Sequence, residues 1–236
     1  MRALNRADVP YVVAGAYAMR EYAGIVRDTK DLDVFVRPRD VAATLAALRA
    51  AHFRTELTDP VWLAKGFSRG GEYVDVIFAS GNGLALVDDL WFSRAREAEV
   101  LGEPSRVAPP EEIIWSKAFV LERERFDGAD IAHLLRFCAH LIDWDHLCQR
   151  FDAYPDILLV HLLLFRFAFP GERHKVPLAL LDRLFAQCRK EARAAEESLC
   201  RGTLLSRSQY DLDVLMGLTD ARLVEVAQWR DNATVH

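Results

Sequence analysis

At Pro109-Pro110 the chain changes texture. Before it, short apolar runs alternate with glycine-bounded turns; after it, strand patterns nearly vanish and helical periodicity takes over. A single sheet running the whole length is therefore excluded. The pattern predicts an α+β chain, with a mixed sheet and flanking helices over 1–108 and an all-helical domain over 109–236. The length of 236 residues suits one large domain or two modest ones.

Within the first half, Tyr11-Val12-Val13-Ala14 is a short apolar run ending at Gly15, as expected of a buried strand. A helical turn or two follows over 16–22. Leu32-Asp33-Val34-Phe35-Val36 alternates as a second strand, and Tyr73 to Phe78 forms a third, between Gly70-Gly71 and Ser80-Gly81-Asn82-Gly83. Pro38 is placed to open a helix whose stripe is Val41, Leu45, Leu48 and Phe53; residues 84–94 are also expected to be helical. In the second half, Pro109-Pro110-Glu111-Glu112 starts a helix, with carboxylates against the positive end of its dipole. Further helical patterns cover 128–141, 144–152, 156–168 and 177–200.

Several classes fall away. The longest uncharged run, Val76 to Val87, includes Ser80, Gly81, Asn82 and Gly83, and is far short of the about 20 apolar residues of a membrane helix. No secretory h-region opens the sequence, so a cytoplasmic home is expected. The net charge of −5 comes with no basic stripe, which argues against tight nonspecific nucleic-acid binding while leaving a local patch for structured RNA open. Cys138, Cys148, Cys188 and Cys200 form no C-x-x-C pair and read as buried thiols. His133, His140, His146 and His161 are spaced too loosely for a zinc site. Dinucleotide, P-loop and nucleophile-elbow motifs do not occur.

The informative stretch is Val12 to Val36. Asp31 and Asp33 lie two apart on a strand, so their carboxylates share one face while Leu32, Val34 and Val36 turn to the core. Two carboxylates side by side repel, and one or two Mg²⁺ ions gripping a substrate phosphate remove the conflict. Taken alone, the pair better suits the polar outer face of an amphipathic strand. Three further features favour chemistry. Gly15 ends a strand before a helix, where backbone N–H groups can approach a phosphate. Asp75 interrupts an apolar strand, against propensity. Arg27 and Lys30 bring positive charge beside the pair.

The order of a glycine at a strand end, a helix, Asp31-Leu32-Asp33 on a strand and Asp75 on a later strand resembles the nucleotidyltransferase fold of the DNA polymerase beta superfamily. The spelling Arg27-Asp28-Thr29-Lys30-Asp31-Leu32-Asp33 is similar to the bacterial branch that holds the AbiEii-type toxins of toxin–antitoxin pairs. The resemblance implies that Asp31, Asp33 and Asp75 are the catalytic and Mg²⁺-binding carboxylates, with Asp75 activating the incoming nucleophile. It also implies that Gly15 and Ala16 hold the phosphates of a nucleoside triphosphate such as ATP, with Arg27 and Lys30 beside them. It covers residues 11–78 and continues more weakly into the helical half. Two departures stand out: Gly15-Ala16-Tyr17 replaces the usual Gly-Gly or Gly-Ser, and the gap from turn to carboxylates is longer.

Lys117 sits among apolar neighbours, and lysine is seldom buried without a partner. With Asp127 and Asp130 it is similar to the family's lysine and R-D-x-x-D element, although Phe126 stands at the arginine position. The resemblance makes Lys117 a phosphate contact oriented by Asp127 or Asp130; a salt bridge between domains is the alternative. A second D-L-D-V, Asp211 to Val214, follows a charged helical run and no later carboxylate strand, so Asp211 and Asp213 are expected on a helix surface or turn. The expected activity is Mg²⁺-dependent transfer of a nucleoside monophosphate from NTP to tRNA, a protein or a small molecule. The rival is a non-catalytic nucleotide-binding or partner-binding module on the same fold.

Overall fold

A computed structural model describes residues 1–191 and 198–226. The chain divides into two compact units, Met1–Ile113 and Ile114–His236. The fold class is α+β.

The first unit runs α1 (Arg2–Arg6), β1 (Val12–Val13), α2 (Gly15–Ala23), β2 (Asp31–Phe35), α3 (Val41–Ala50), β3 (Arg54–Asp59), β4 (Leu63–Phe67), β5 (Tyr73–Ile77), α4 (Asp89–Ser93), β6 (Arg96–Val100) and β7 (Glu103–Val107). The strands form a mixed sheet in the order β3-β4-β5-β2-β1-β7-β6. β2 and β5 are parallel, as are β1 and β7; the other neighbours are antiparallel. Charged side chains such as Arg54, Glu56, Arg96 and Glu99 decorate the outermost strands β3 and β6, where they discourage pairing with another chain.

The two faces of the sheet differ because side chains alternate along each strand. One face buries Val34, Val74, Val76 and Ala64. Gly66 belongs to this face as well. A Cβ there would come within 2.9 Å of Leu48 Cδ1, so the glycine lets α3 lie close against the sheet. The opposite face is split along its length. At one end Phe35, Ile77 and Leu63 are buried, and Phe35 stacks on Trp91 of α4 with ring centroids 4.9 Å apart. At the other end the same strands carry Asp31, Asp33, Tyr73, Asp75, Lys65 and Phe67, all part-exposed. Hydrophobic burial thus fixes the register, and the other end of this face stays polar.

Two expectations in this unit are corrected. Only Asp89–Ser93 of the helix expected over 84–94 forms. Ser80 Oγ and Asn82 Oδ1 accept the N–H groups of Ala85 and Leu84, and Val87 N donates to Phe78 O, so local bonds hold 84–87 out of helical geometry. The stripe drawn through Phe53 also overshoots. α3 stops at Ala50, and its buried face is Thr44, Ala47 and Leu48.

Among the described residues the second unit is helical but for a two-residue parallel pair and an isolated bridge between Leu121 and Phe126. It contains the end of α5 (Pro110–Lys117), then α6 (Gly128–Cys138), α7 (Trp144–Arg150), α8 (Pro155–Ala168) and α9 (Leu178–Glu191). β8 (Leu199–Cys200), α10 (Arg207–Leu215) and β9 (Thr219–Asp220) follow, with β8 beside β9. Trp115, Phe119, Phe151 and Tyr154 form its aromatic centre, with Trp115 edge-on to Phe151 at 4.8 Å. Asp143 caps α7 by accepting from His146 N, and Pro155 occupies the first turn of α8, where no N–H is missed. The helix expected over 177–200 ends sooner: Leu178–Glu191 is helical, Leu199–Cys200 is extended, and 192–197 lie outside the described residues. Asp211 and Asp213 lie on α10, Asp211 exposed. Cys138 and Cys200 are buried, Cys148 and Cys188 half-buried, and all are free thiols.

Candidate active site

The parallel pairing of β2 and β5 sets Asp33 directly opposite Asp75 and Asp31 opposite Tyr73. The three carboxylates, each half-buried, offer ligand oxygens within 4.8 Å of one another. Among the described residues no other His, Cys, Asp and Glu side chains form such a group. Three hard oxygen donors at this spacing suit a divalent cation such as Mg²⁺, gathered by small side-chain rotations. Without a cation, like charges at this distance raise the energy of the cluster.

Gly15 opens α2 with φ +58°, in the left-handed region that favours glycine. A Cβ at Gly15 would overlap Asp33 Oδ2 and fall 2.7 Å from its Cγ. The strand-to-helix turn and the carboxylate are thus packed against each other with no room between. Ala14 N also donates to Asp33 O at 3.1 Å, which ties the turn to β2. The first N–H groups of α2, those of Gly15 and Ala16, are among those an α-helix leaves without intrahelical partners. They lie beside the carboxylates at the positive end of the helix dipole.

Arg27 and Lys30 are exposed on the segment leading into β2. Lys30 O accepts from Tyr73 N at 3.1 Å, and Asp31 N donates to Thr29 Oγ1 at 3.3 Å, so the approach to the first carboxylate is fixed from both sides.

Lys65, which the sequence reading passed over, belongs to the cluster. It pairs with Asp75 across β4 and β5, and its Nζ lies 2.8 Å from Asp75 Oδ1. The two side chains are only 22% and 15% exposed. Nζ also sits 4.6 Å from the centroid of Tyr73, a cation–π contact that holds it over the sheet. The available signal was a lysine in Leu63-Ala64-Lys65-Gly66-Phe67, one of only five in the chain.

Lys117, Asp127 and Asp130 lie in the second unit and form a cluster of their own. Lys117 Nζ is 2.8 Å from Asp127 Oδ2 and 3.0 Å from Asp130 Oδ2, with all three side chains mostly buried. Arg125 adds a second cation to Asp127 at 3.1 Å. Burial pushes the Asp127 carboxyl up, but the Lys117 and Arg125 charges and hydrogen bonds outweigh it and hold the group below the usual carboxylate range.

No protein-family model and no curated protein sequence matches the chain. Some solved structures share part of its path. The antibiotic-resistance factor ANT(2'')-Ia is 18% identical over 73% of this chain and 90% of its own, with a TM-score of 0.43. JHP933 from Helicobacter pylori is 17% identical over 92% of this chain and 94% of its own, at 0.38. An antigenic nucleotidyltransferase-like protein from Paracoccidioides brasiliensis is 15% identical over 68% and 87%, at 0.39. What the site can do follows from its own residues.

Proposed function

We propose that the first unit transfers a nucleoside monophosphate from an NTP to an acceptor, with Mg²⁺ as cofactor. The observation that carries this is the convergence of Asp31, Asp33 and Asp75 on the polar half-face of the sheet, against the glycine-opened end of α2. Asp31 and Asp33 are the ligands that would hold Mg²⁺, with Asp75 beside them. The bound cation supplies charge neutralisation at the triphosphate and at the in-line transition state. The chain's own groups do the rest. Backbone N–H groups of Gly15 and Ala16 grip phosphate oxygens, and Arg27 and Lys30 add positive charge beside the turn. An acceptor oxygen attacks the α-phosphorus, pyrophosphate leaves, and Asp75 accepts the acceptor's proton. By the family resemblance Lys117 contributes to phosphate binding, oriented by Asp127 and Asp130, which hold its ammonium at 2.8 and 3.0 Å.

The AbiEii-type resemblance points to a toxin–antitoxin setting; a cytoplasmic home, with tRNA, a protein or a small molecule as acceptor, completes the reading. The deciding experiment incubates the protein with each labelled NTP, Mg²⁺ and total RNA or lysate. Label in a macromolecule that disappears with Asp33→Ala identifies reaction and acceptor together. One observation favours a binding module instead: Lys65 already engages Asp75. On that reading NTP binds and no label transfers.

A further inference from the structure

We propose that Lys65 is a resident counter-ion of the carboxylate cluster, a positioning residue that holds Asp75 and limits the cluster to a single divalent ion in the absence of nucleotide. The inference rests on the reading of Asp31, Asp33 and Asp75 as a metal site. Three negative charges within 4.8 Å of one another need compensation, and Lys65 supplies one positive charge at 2.8 Å from Asp75 Oδ1. The ammonium is not a passing contact. The register of β4 and β5 brings Lys65 opposite Asp75, the Tyr73 ring lies against Nζ, and neither partner is more than 22% exposed. Oδ1 is engaged by Lys65, so Asp75 keeps one oxygen, Oδ2, for a cation in the resting site or for the acceptor's proton during transfer. Asp31 and Asp33 remain the main ligands. A second divalent ion on the Asp75 side would meet the ammonium and be repelled by it.

The arrangement also divides the work of Asp75. A carboxylate pinned through one oxygen has less freedom to turn away from Asp33, its register partner on β2. Lys65 thus does in the unliganded protein what a second metal ion would otherwise do: it keeps the third carboxylate in place while the site waits for nucleotide.

The test measures Mn²⁺ binding without nucleotide, by the loss of the free-ion electron paramagnetic resonance signal and by calorimetry. It uses the full chain as wild type, Lys65→Met, Lys65→Arg and Asp75→Asn, plus the Lys65→Met/Asp75→Asn double variant. Wild type is expected to bind one Mn²⁺. Lys65→Met should bind it about tenfold tighter, as removal of a neighbouring like charge requires, and should take up a second ion. Lys65→Arg should stay close to wild type. Asp75→Asn should weaken binding much more in the Lys65→Met background than alone, because only there are both oxygens of Asp75 available. If Lys65→Met does not fold by circular dichroism, Lys65→Gln takes its place, with the same expectation. Unchanged or weaker Mn²⁺ binding in the neutral Lys65 variants overturns the proposal, and so does a wild type that binds two ions without nucleotide. Absence of binding in every variant overturns the metal reading and this inference with it. The expected Mn²⁺ shifts without any NTP transfer would sink the reaction and leave the role of Lys65 standing. Transfer with no Mn²⁺ shift would do the reverse.

Discussion

Gly15 and Asp33 are packed so closely that any Cβ on the glycine would overlap the carboxylate oxygen of the aspartate. The backbone that opens α2 and the carboxylate of Asp33 therefore cannot be adjusted separately.

Gly15→Ala should accordingly lower stability by about 1–2 kcal/mol, from a Cβ in left-handed geometry, with a further loss from pushing Asp33 aside. Urea unfolding measures the first effect. Mn²⁺ titration measures the second, and binding as tight as wild type would show that Asp33 does not need its present position.

Asp33→Asn separates a metal ligand from a structural aspartate. Relief of repulsion should leave the unliganded variant as stable as wild type or slightly more so. Wild type should gain about 2.7 kcal/mol with Mg²⁺-NTP at a hundredfold excess over Kd, and the variant should gain nothing. Thermal scans with and without ligand decide. A variant that melts well below wild type in both conditions, with no ligand shift in either protein, would mark Asp33 as structural.

Much of the site could be read from local spacing. Asp31 and Asp33 two apart, and Asp75 inside Tyr73-Val74-Asp75-Val76-Ile77, carry their strand signal within five residues each. β3, β4, β6 and β7 escaped because their sequences lack an apolar stripe: RTELTD, REAEV and EPSRV are largely polar, and LAKGF is interrupted by Lys65 and Gly66. Gly66 is there for Leu48, eighteen positions away, and Lys65 for Asp75 on the next strand. Such demands come from partners across the sheet, which no local window contains.

Lys117→Met should destabilise the second unit by about 2–3 kcal/mol, somewhat less than the about 3–5 kcal/mol of a wholly buried pair. It leaves Asp127 and Asp130 facing each other in a largely dry setting. In wild type the depressed Asp127 contributes stability that is complete above its ordinary value of 3.8 and is lost as pH falls through the lower folded value. Without Lys117 that acid limb should move to higher pH. Denaturant melts between pH 3 and pH 7 provide the check, and superimposable acid limbs would refute the coupling.

His161 should give the protein a second, milder pH dependence. It is 2% exposed on α8, its Nε2–H donates to Ala118 O at 2.8 Å, and burial holds its pKa below the ordinary 6.5. The unfolded chain takes up the imidazole proton at a higher pH than the fold does. The contribution is therefore complete above about pH 6.5 and lost as pH falls through the lower folded value. His161→Leu should flatten that slope and cost about 1–3 kcal/mol at pH 7, where Ala118 O loses its donor. A slope that survives the substitution would point to another group.

The position of β1 has a consequence for how the chain is made. Val12 and Val13 are wholly buried, with β2 on one flank and β7 on the other, where Val13 pairs with Val107 and Ala108 N donates to Val13 O at 2.9 Å. On the ribosome the first flank can be filled early, but the second has no partner until the last strand of the unit has emerged. Until then the nascent chain carries an apolar strand with one open edge, a template for pairing with a neighbour on the same message. A chain interrupted before Val107 keeps that edge permanently, and its fate is aggregation even though every residue of the carboxylate cluster has already been translated.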